Sequence, residues 1–263
     1  MPALRGRVAR GQTWVAGLRT LKLTVAYDGT RFVGWQRQAE GVSIQGVLED
    51  TLARFEGAPV GVHGAGRTDA GVHALGQVAS VELTAAHDTA TLVRALNAQL
   101  PEDVRVLRID EVPAAFHARF TARSKTYRYQ IRNAPIADPF QRAYEWHIPE
   151  PLDLAAMRLA AEALVGEHDF AAFQSVGTEM SSTVRTVTRA ELMDREDGRI
   201  AFEVAGNGFL RHMVRAMAGT LVEVGRGRRR PETLPELLAA RRRADAGATA
   251  PPQGLFLVSV EYD

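Results

Sequence analysis

The sequence predicts an α+β fold made of two similar β-α-β-β-α-β halves, and three observations carry that prediction. Apolar residues alternate at period two in several short runs, recur at helical spacing in others, and the two kinds of run follow the same order in each half of the chain. With 263 residues and 46% hydrophobic content, the chain can bury a full core as one large domain or two modest ones.

Residues 1–19 carry small, basic and glycine residues without a period and are expected to form a flexible basic arm. From Leu21 the pattern sharpens, because Leu21, Leu23, Val25 and Tyr27 alternate as a half-buried strand and Asp28-Gly29 turns the chain. Ile44, Val47, Leu48, Leu52 and Phe55 then fall on one helical face behind a cap at Ser43. Val60 to His63 reads as a short strand entering a glycine-rich loop, and Gln77 to Leu83 as a strand leaving it. Thr89 to Leu100 reads as a helix ended by Pro101, and Val104 to Ile109 as a strand with a slip in its alternation. This is the order of the ferredoxin-like arrangement.

The second half repeats it. Tyr127, Tyr129 and Ile131 alternate on a strand, and Asp153 caps a helix through Leu154, Met157, Ala161 and Leu164. Thr186 to Met193 and Arg199 to Ala205 form a hairpin around Asp197-Gly198. Phe209, Leu210, Met213, Val214, Met217 and Leu221 predict a helix stopped at Gly225, which places Arg211 and Arg215 on one helical face. A helix after Pro231 and a strand from Leu255 to Tyr262 complete the pattern. The expected units are residues 20–114 and 115–263, with a cleft between them as the natural place for a site.

Composition narrows the chemistry. The absence of cysteine removes disulfides, thiolate metal sites and thiol nucleophiles together. No run of about 18 apolar residues escapes interruption by charge. In the basic start the apolar piece Trp14 to Leu18 is shorter than a secretory core, so a cytoplasmic protein is expected. The net charge is +1, yet 30 of the 32 basic residues are arginine, whose planar fork suits phosphate. Arg226 to Arg230 and Arg241 to Arg243 form two basic blocks, readable either as solvated helix faces or as patches that track phosphates.

One stretch concentrates the chemistry. In Gly64 to Ala74, GAGRTDAGVHA, three glycines frame a carboxylate, so that Gly64, Gly66 and Gly71 can hold Arg67, Thr68 and Asp69 in a tight exposed loop. A nucleophilic aspartate must be ionised and aimed, which a nearby guanidinium favours. Arg67 shares the loop, and Arg215 sits among Met213, Val214 and Met217, where a guanidinium needs a partner. Tyr127 shares a strand face with Tyr129, so its ring either packs in the core or lines the cleft and stacks on a base. Lys125 and Arg128 beside it are candidates for phosphates. Two other classes compete: His63, Asp69 and His73 as ligands of a metal hydrolase, a spacing that matches no standard zinc signature, and a noncatalytic RNA-binding protein, for which the chain lacks an RNP1-like run.

The loop is one of several segments that, in order, resemble the tRNA pseudouridine synthase A family. They are YDGTRFVGWQRQ at Tyr27 to Gln38, SIQGVLEDTL at Ser43 to Leu52, GRTDAGVHA at Gly66 to Ala74 and FHARFTARSKTYRYQI at Phe116 to Ile131. HDFAAFQS at His168 to Ser175, GNGFLRHMVRAMAGTLVEVGRG at Gly206 to Gly227 and APPQGLFLVSVEY at Ala250 to Tyr262 follow. The arm before Leu21 has no recognised counterpart, and Lys125 stands where arginine is also common. The resemblance implies the pseudouridine synthase fold, two ferredoxin-like halves with antiparallel and mixed sheets. It implies isomerisation of uridine to pseudouridine at positions 38, 39 and 40 of the tRNA anticodon stem-loop, without cofactor or metal, by a homodimer whose subunits share the tRNA surface. Asp69 matches the family nucleophile, with attack on the ribose and attack on the base both compatible with the likeness. Tyr127 matches the tyrosine that stacks on the target uracil and assists the final proton removal. Arg215 matches the arginine paired with the nucleophile, and Arg67 the one that guides the flipped base or RNA backbone.

Overall fold

The computed structural model describes residues 17–263 except 176 and 178–180, so residues 1–16 of the expected arm lie outside the described residues. The first strand, β1 (Arg19–Tyr27), starts two residues before Leu21 because Arg19 reaches across the sheet to Glu111, Nη2 to Oε2 2.9 Å. The helix α1 (Ile44–Glu56) begins where Ser43 Oγ accepts the Gly46 N–H and ends at Gly57, whose φ of 73° closes the last turn. Then come β2 (His63–Gly64), β3 (His73–Leu83), α2 (Thr89–Gln99) behind the Asp88 cap, and β4 (Val104–Val112). The expected strand over Val60 to His63 is thus shorter and shifted, and β3 starts four residues before Gln77.

The second half runs β5 (Ser124–Asn133), β6 (Trp146–Ile148), α3 (Leu154–Glu162), β7 (Gly166–Asp169), β8 (Val184–Arg195) and β9 (Arg199–Gly206). It ends with α4 (Met213–Gly225), α5 (Leu234–Ala240) and β10 (Leu255–Glu261). Among the described residues all strands join one mixed sheet, ordered β4-β1-β3-β10-β5-β9-β8-β7, with β2 paired to β3 and β6 to β5. Each half keeps one rule, with its last strand beside its first (β4 by β1, β10 by β5) and its third on the other side (β3, β9). β6 and β7 are additions to the predicted pattern.

The halves meet through a short parallel pair, Phe256 with His73 and Leu257 with Ala74. Along its other edge β3 pairs with β1; this edge it divides between β10 near His73 and β2 near Ser80. The loop between β2 and β3 therefore sits where the two halves part. Below it, Leu21, Leu23, Val25, Leu48, Tyr129, Phe202 and the apolar face of α4 belong to one continuous core.

α4 departs from expectation. Phe209 and Leu210 continue its apolar spacing, but His212 takes a left-handed conformation (φ 64°, ψ 1°), so the helix starts at Met213 and Arg211 lies before it. Arg211 and Arg215 do not share a helical face.

Candidate active site

The loop from Gly64 to Val72 is held at both ends by close packing. A Cβ on Gly64 would lie 2.6 Å from Trp35 Nε1, and Gly71 turns the chain with a φ of 76° against the Pro252 ring. Between them Thr68 is anchored below: its Oγ1 meets the Tyr27 hydroxyl at 2.8 Å and its carbonyl accepts the Trp35 N–H at 3.0 Å. Gln77, fully buried, donates to the Gly66 carbonyl at 2.9 Å and reaches the Tyr27 oxygen at 3.4 Å. Burial pushes the Tyr27 phenol up to about 12, so it remains a neutral donor or acceptor within this network. Gly66 needs no positive φ; it leaves room beneath Lys125 Cε and the Tyr127 hydroxyl, which would stand 3.6 and 3.8 Å from a Cβ there.

So fixed, Asp69 turns its carboxylate toward the first turn of α4. Its Oδ2 accepts from Arg215 Nη1 at 3.1 Å, with the two side chains 27% and 13% exposed. Arg215 also donates from Nε to the Ala250 carbonyl at 2.8 Å, and its own carbonyl accepts the Ala250 N–H at 3.1 Å. One planar guanidinium thus ties helix, carboxylate and the segment leading into β10. His212 Nε2 lies 3.4 Å from the same Oδ2. Burial, together with Arg215, Arg211 and Arg243, outweighs the attraction of Asp69 and holds the imidazole below its usual pKa, so it faces the carboxylate in its neutral form.

The site residues separate. Asp69 and Arg215 are bonded across the two halves, and Tyr127 faces them from β5. Burial, the Tyr27 phenol and the Asp69 carboxylate raise the Tyr127 pKa, which keeps its hydroxyl protonated. Only 7% of Tyr127 is exposed, because Phe209 meets its ring edge-on at 5.0 Å. The exposed Arg67 guanidinium makes no ion pair among the described residues. Lys125 shares the face of Tyr127, while Arg128 points to the other side of the sheet and donates from Nε to Glu203 Oε1 at 2.7 Å. The structure does not bring Arg128 to Asp69. Sequence spacing gave no sign of His212, whose left-handed backbone turns its ring into the site, nor of Phe209.

The histidines of the competing metal reading are otherwise engaged. His73 is buried; its Nδ1 accepts the Gly29 N–H at 3.0 Å, which leaves the proton on Nε2 facing the Ala143 and Gln253 carbonyls at 3.0 and 3.2 Å. The 3.2 Å approach of Asp28 to Nδ1 is therefore not an ion pair, and burial, the largest influence, lowers the His73 pKa. The basic blocks are largely paired as well. Arg226 meets Glu150 at 2.8 Å, Arg229 meets Glu223 at 3.2 Å, Arg241 meets Asp169 at 3.2 Å and Arg242 meets Asp245 at 2.8 Å.

A family model described as tRNA pseudouridine synthase matches residues 23–121 and 160–263. A protein named tRNA pseudouridine synthase A from Exiguobacterium sp. is 45% identical over 94% of this chain and 99% of its own length. Its namesake from Myxococcus xanthus is 47% identical over 92% of this chain and 91% of its own. Among solved structures, an archaeal box H/ACA sRNP Nop10-Cbf5 complex overlays 77% of this chain and 44% of that chain, at 13% identity and a TM-score of 0.35.

Proposed function

The chain belongs to the tRNA pseudouridine synthase family and isomerises uridine to pseudouridine in tRNA, and on that premise we propose that Asp69 is the nucleophile, acting at positions 38, 39 and 40 of the anticodon stem-loop. The observation that carries this reading is the 3.1 Å bond between Asp69 and Arg215, which sets a partly exposed carboxylate against a fixed positive charge where the two halves part.

The reaction breaks the bond from uracil N1 to ribose C1′ and forms one from C5 to C1′, while C5 loses a proton and N1 gains one. Atoms and electrons balance within the nucleoside, so the chemistry asks for no redox partner. The Asp69 carboxylate supplies the electron pair that helps open the glycosidic bond, and a carboxylate is also chemically able to accept the departing C5 proton. Tyr127, kept protonated, is suited to donating a hydrogen bond to the turning base. Pulling a nucleotide from its stack costs a few kcal/mol, and stacking on an aromatic ring returns about 1–3 kcal/mol. For the uracil to take that place on Tyr127, it displaces the edge of Phe209. Arg67, with no carboxylate partner among the described residues, is free to guide the RNA backbone. The reading includes a homodimer with a shared tRNA surface and a cytoplasmic location; among the described residues no helix is long and apolar enough to cross a membrane.

The test is release of tritium from uridine C5 of a tRNA transcript by wild type and Asp69→Ala, with a chelator present. Release by wild type alone is expected. Equal release by both would remove Asp69 from the chemistry, no release by either would favour a binding module, and loss of turnover to the chelator would revive a metal site.

A further inference from the structure

Three rings form a ladder on the surface that the reaction leaves without a task. His63 stacks on His117, centroids 5.3 Å apart and planes 30° apart, and His117 meets Phe120 at 4.3 Å and 33°. Phe120 ends the ladder, 76% exposed, with the Arg119 guanidinium 5.7 Å from its centroid. A single exposed ring is ordinary. Here the ring is also fixed, has a guanidinium lying over it, and neighbours Lys125, whose stem lies over Gly66 of the catalytic loop.

It is fixed because the turn that carries it is tied down. The Ala118 N–H donates to Ser80 Oγ at 3.2 Å and its carbonyl accepts the Tyr262 hydroxyl at 2.6 Å. The His117 carbonyl accepts both the N–H and the hydroxyl of Thr121, at 3.0 and 2.7 Å, and His117 Nδ1 accepts the Arg119 N–H at 3.1 Å. A platform held this way loses little freedom when a ligand covers it. Its surroundings are cationic: Arg119 has no carboxylate partner among the described residues, and its charge, after burial, lowers the pKa of Lys125, the side chain lying over Gly66. Only five residues separate His63 from Asp69, a span of at most about 22 Å.

The geometry points to an RNA-docking surface beside the catalytic loop, in which the exposed ring of Phe120, with Arg119 swinging off it to the backbone, takes an unpaired nucleobase a few nucleotides from the target uridine while Arg119 and Lys125 hold the phosphates between. Single-stranded RNA is recognised by stacking of this kind, with cations along the backbone. The inference rests on the tRNA reading of Asp69 and adds the path of the neighbouring strand.

The experiment measures binding of wild type, Phe120→Ala, Phe120→Leu and Phe120→Trp to tRNA transcripts that each carry one abasic nucleotide in the anticodon stem-loop, with tritium release from the intact transcript followed in parallel. Alanine and leucine are expected to weaken binding of the intact transcript roughly 5- to 100-fold, the range of one stacked base, and tryptophan to retain it. At one abasic position wild type should lose the same factor and Phe120→Ala should lose nothing more. Unchanged affinity of Phe120→Ala alongside normal wild-type turnover overturns the platform alone, as does an equal added loss at every abasic position. A change of oligomeric state that tracks the lost affinity assigns the ring to a second copy of the chain instead. A wild-type chain that neither binds nor turns over tRNA overturns the tRNA reading and the platform together.

Discussion

Replacing Arg215 with lysine keeps the positive charge and removes the fork. Arg215 bonds in two directions at once, Nε to the Ala250 carbonyl at 2.8 Å and Nη1 to Asp69 Oδ2 at 3.1 Å. A lysine ammonium is a single point at the end of a flexible stem and can satisfy one of these partners in that geometry, not both. A hydrogen bond to a charged group contributes about 1.5–3 kcal/mol. If the lysine stays on the backbone carbonyl, the carboxylate loses that support through the transition state, and the rate falls roughly 10- to 150-fold at about 1.4 kcal/mol per factor of ten. The assay is single-turnover tritium release with enzyme in excess over the tRNA transcript, which separates chemistry from binding and product release. Stability should change less than rate, because the lysine stem can still fill the space beneath Ala250. A rate for Arg215→Lys within about twofold of wild type would refute the claim that aim, beyond charge, is what Arg215 contributes.

Three further outcomes follow from the geometry. Arg67→Ala should flatten the dependence of log affinity for tRNA on log salt by roughly 0.7–0.9, the loss of one phosphate contact, while Arg241→Ala, whose guanidinium is already paired with Asp169, should leave the slope unchanged; the opposite ranking in a salt titration would count against both assignments. His212→Gly should leave stability unchanged or raise it by up to about 1 kcal/mol, since a left-handed residue other than glycine is strained, yet slow turnover roughly 3- to 10-fold; denaturant midpoints that drop while turnover holds would reverse that reading. For His73, whose folded pKa is lowered by burial, the unfolded chain takes up a proton below about pH 6.5 that the folded chain refuses, so the stability it contributes is present above that pH and is lost as pH falls. Urea midpoints at pH 7.5 and 5.5 should differ more for wild type than for His73→Gln, and equal differences would remove His73 as a source of acid sensitivity.

Much of the fold could be read from local chemistry because local chemistry made it. The alternation from Leu21 to Tyr27, the Ser43 and Asp153 caps and the Asp197-Gly198 turn each act within a few residues and appear where expected. The start of α4 could not be read, because the apolar spacing runs through Phe209 and Leu210, and a histidine, though it takes a positive φ more often than most residues, does so too rarely to mark a helix start. β6 and β7 were invisible because at three and four residues they are too short for an alternation to show. Asp69 stood out because glycines mark close backbone approach, which is a sequence property. The pairing of Arg226 and Arg241 is not one, since Glu150 and Asp169 come from distant elements, whereas Arg242 with Asp245 is a local pair three residues apart. The orientation of Arg128 was legible in principle, because it alternates with Tyr127 and must face away from it.

The pairing of β10 with both β3 and β5 has a bearing on synthesis. Of the described strands, β10 leaves the ribosome last, yet it bridges the halves, and the segment just before it supplies the carbonyl that holds Arg215. A product cut short before Ala250 lacks both the strand that joins β3 to β5 and the carbonyl that holds Arg215. The joint of the sheet and the brace on Arg215 are thus both completed by the last of the described elements to be made.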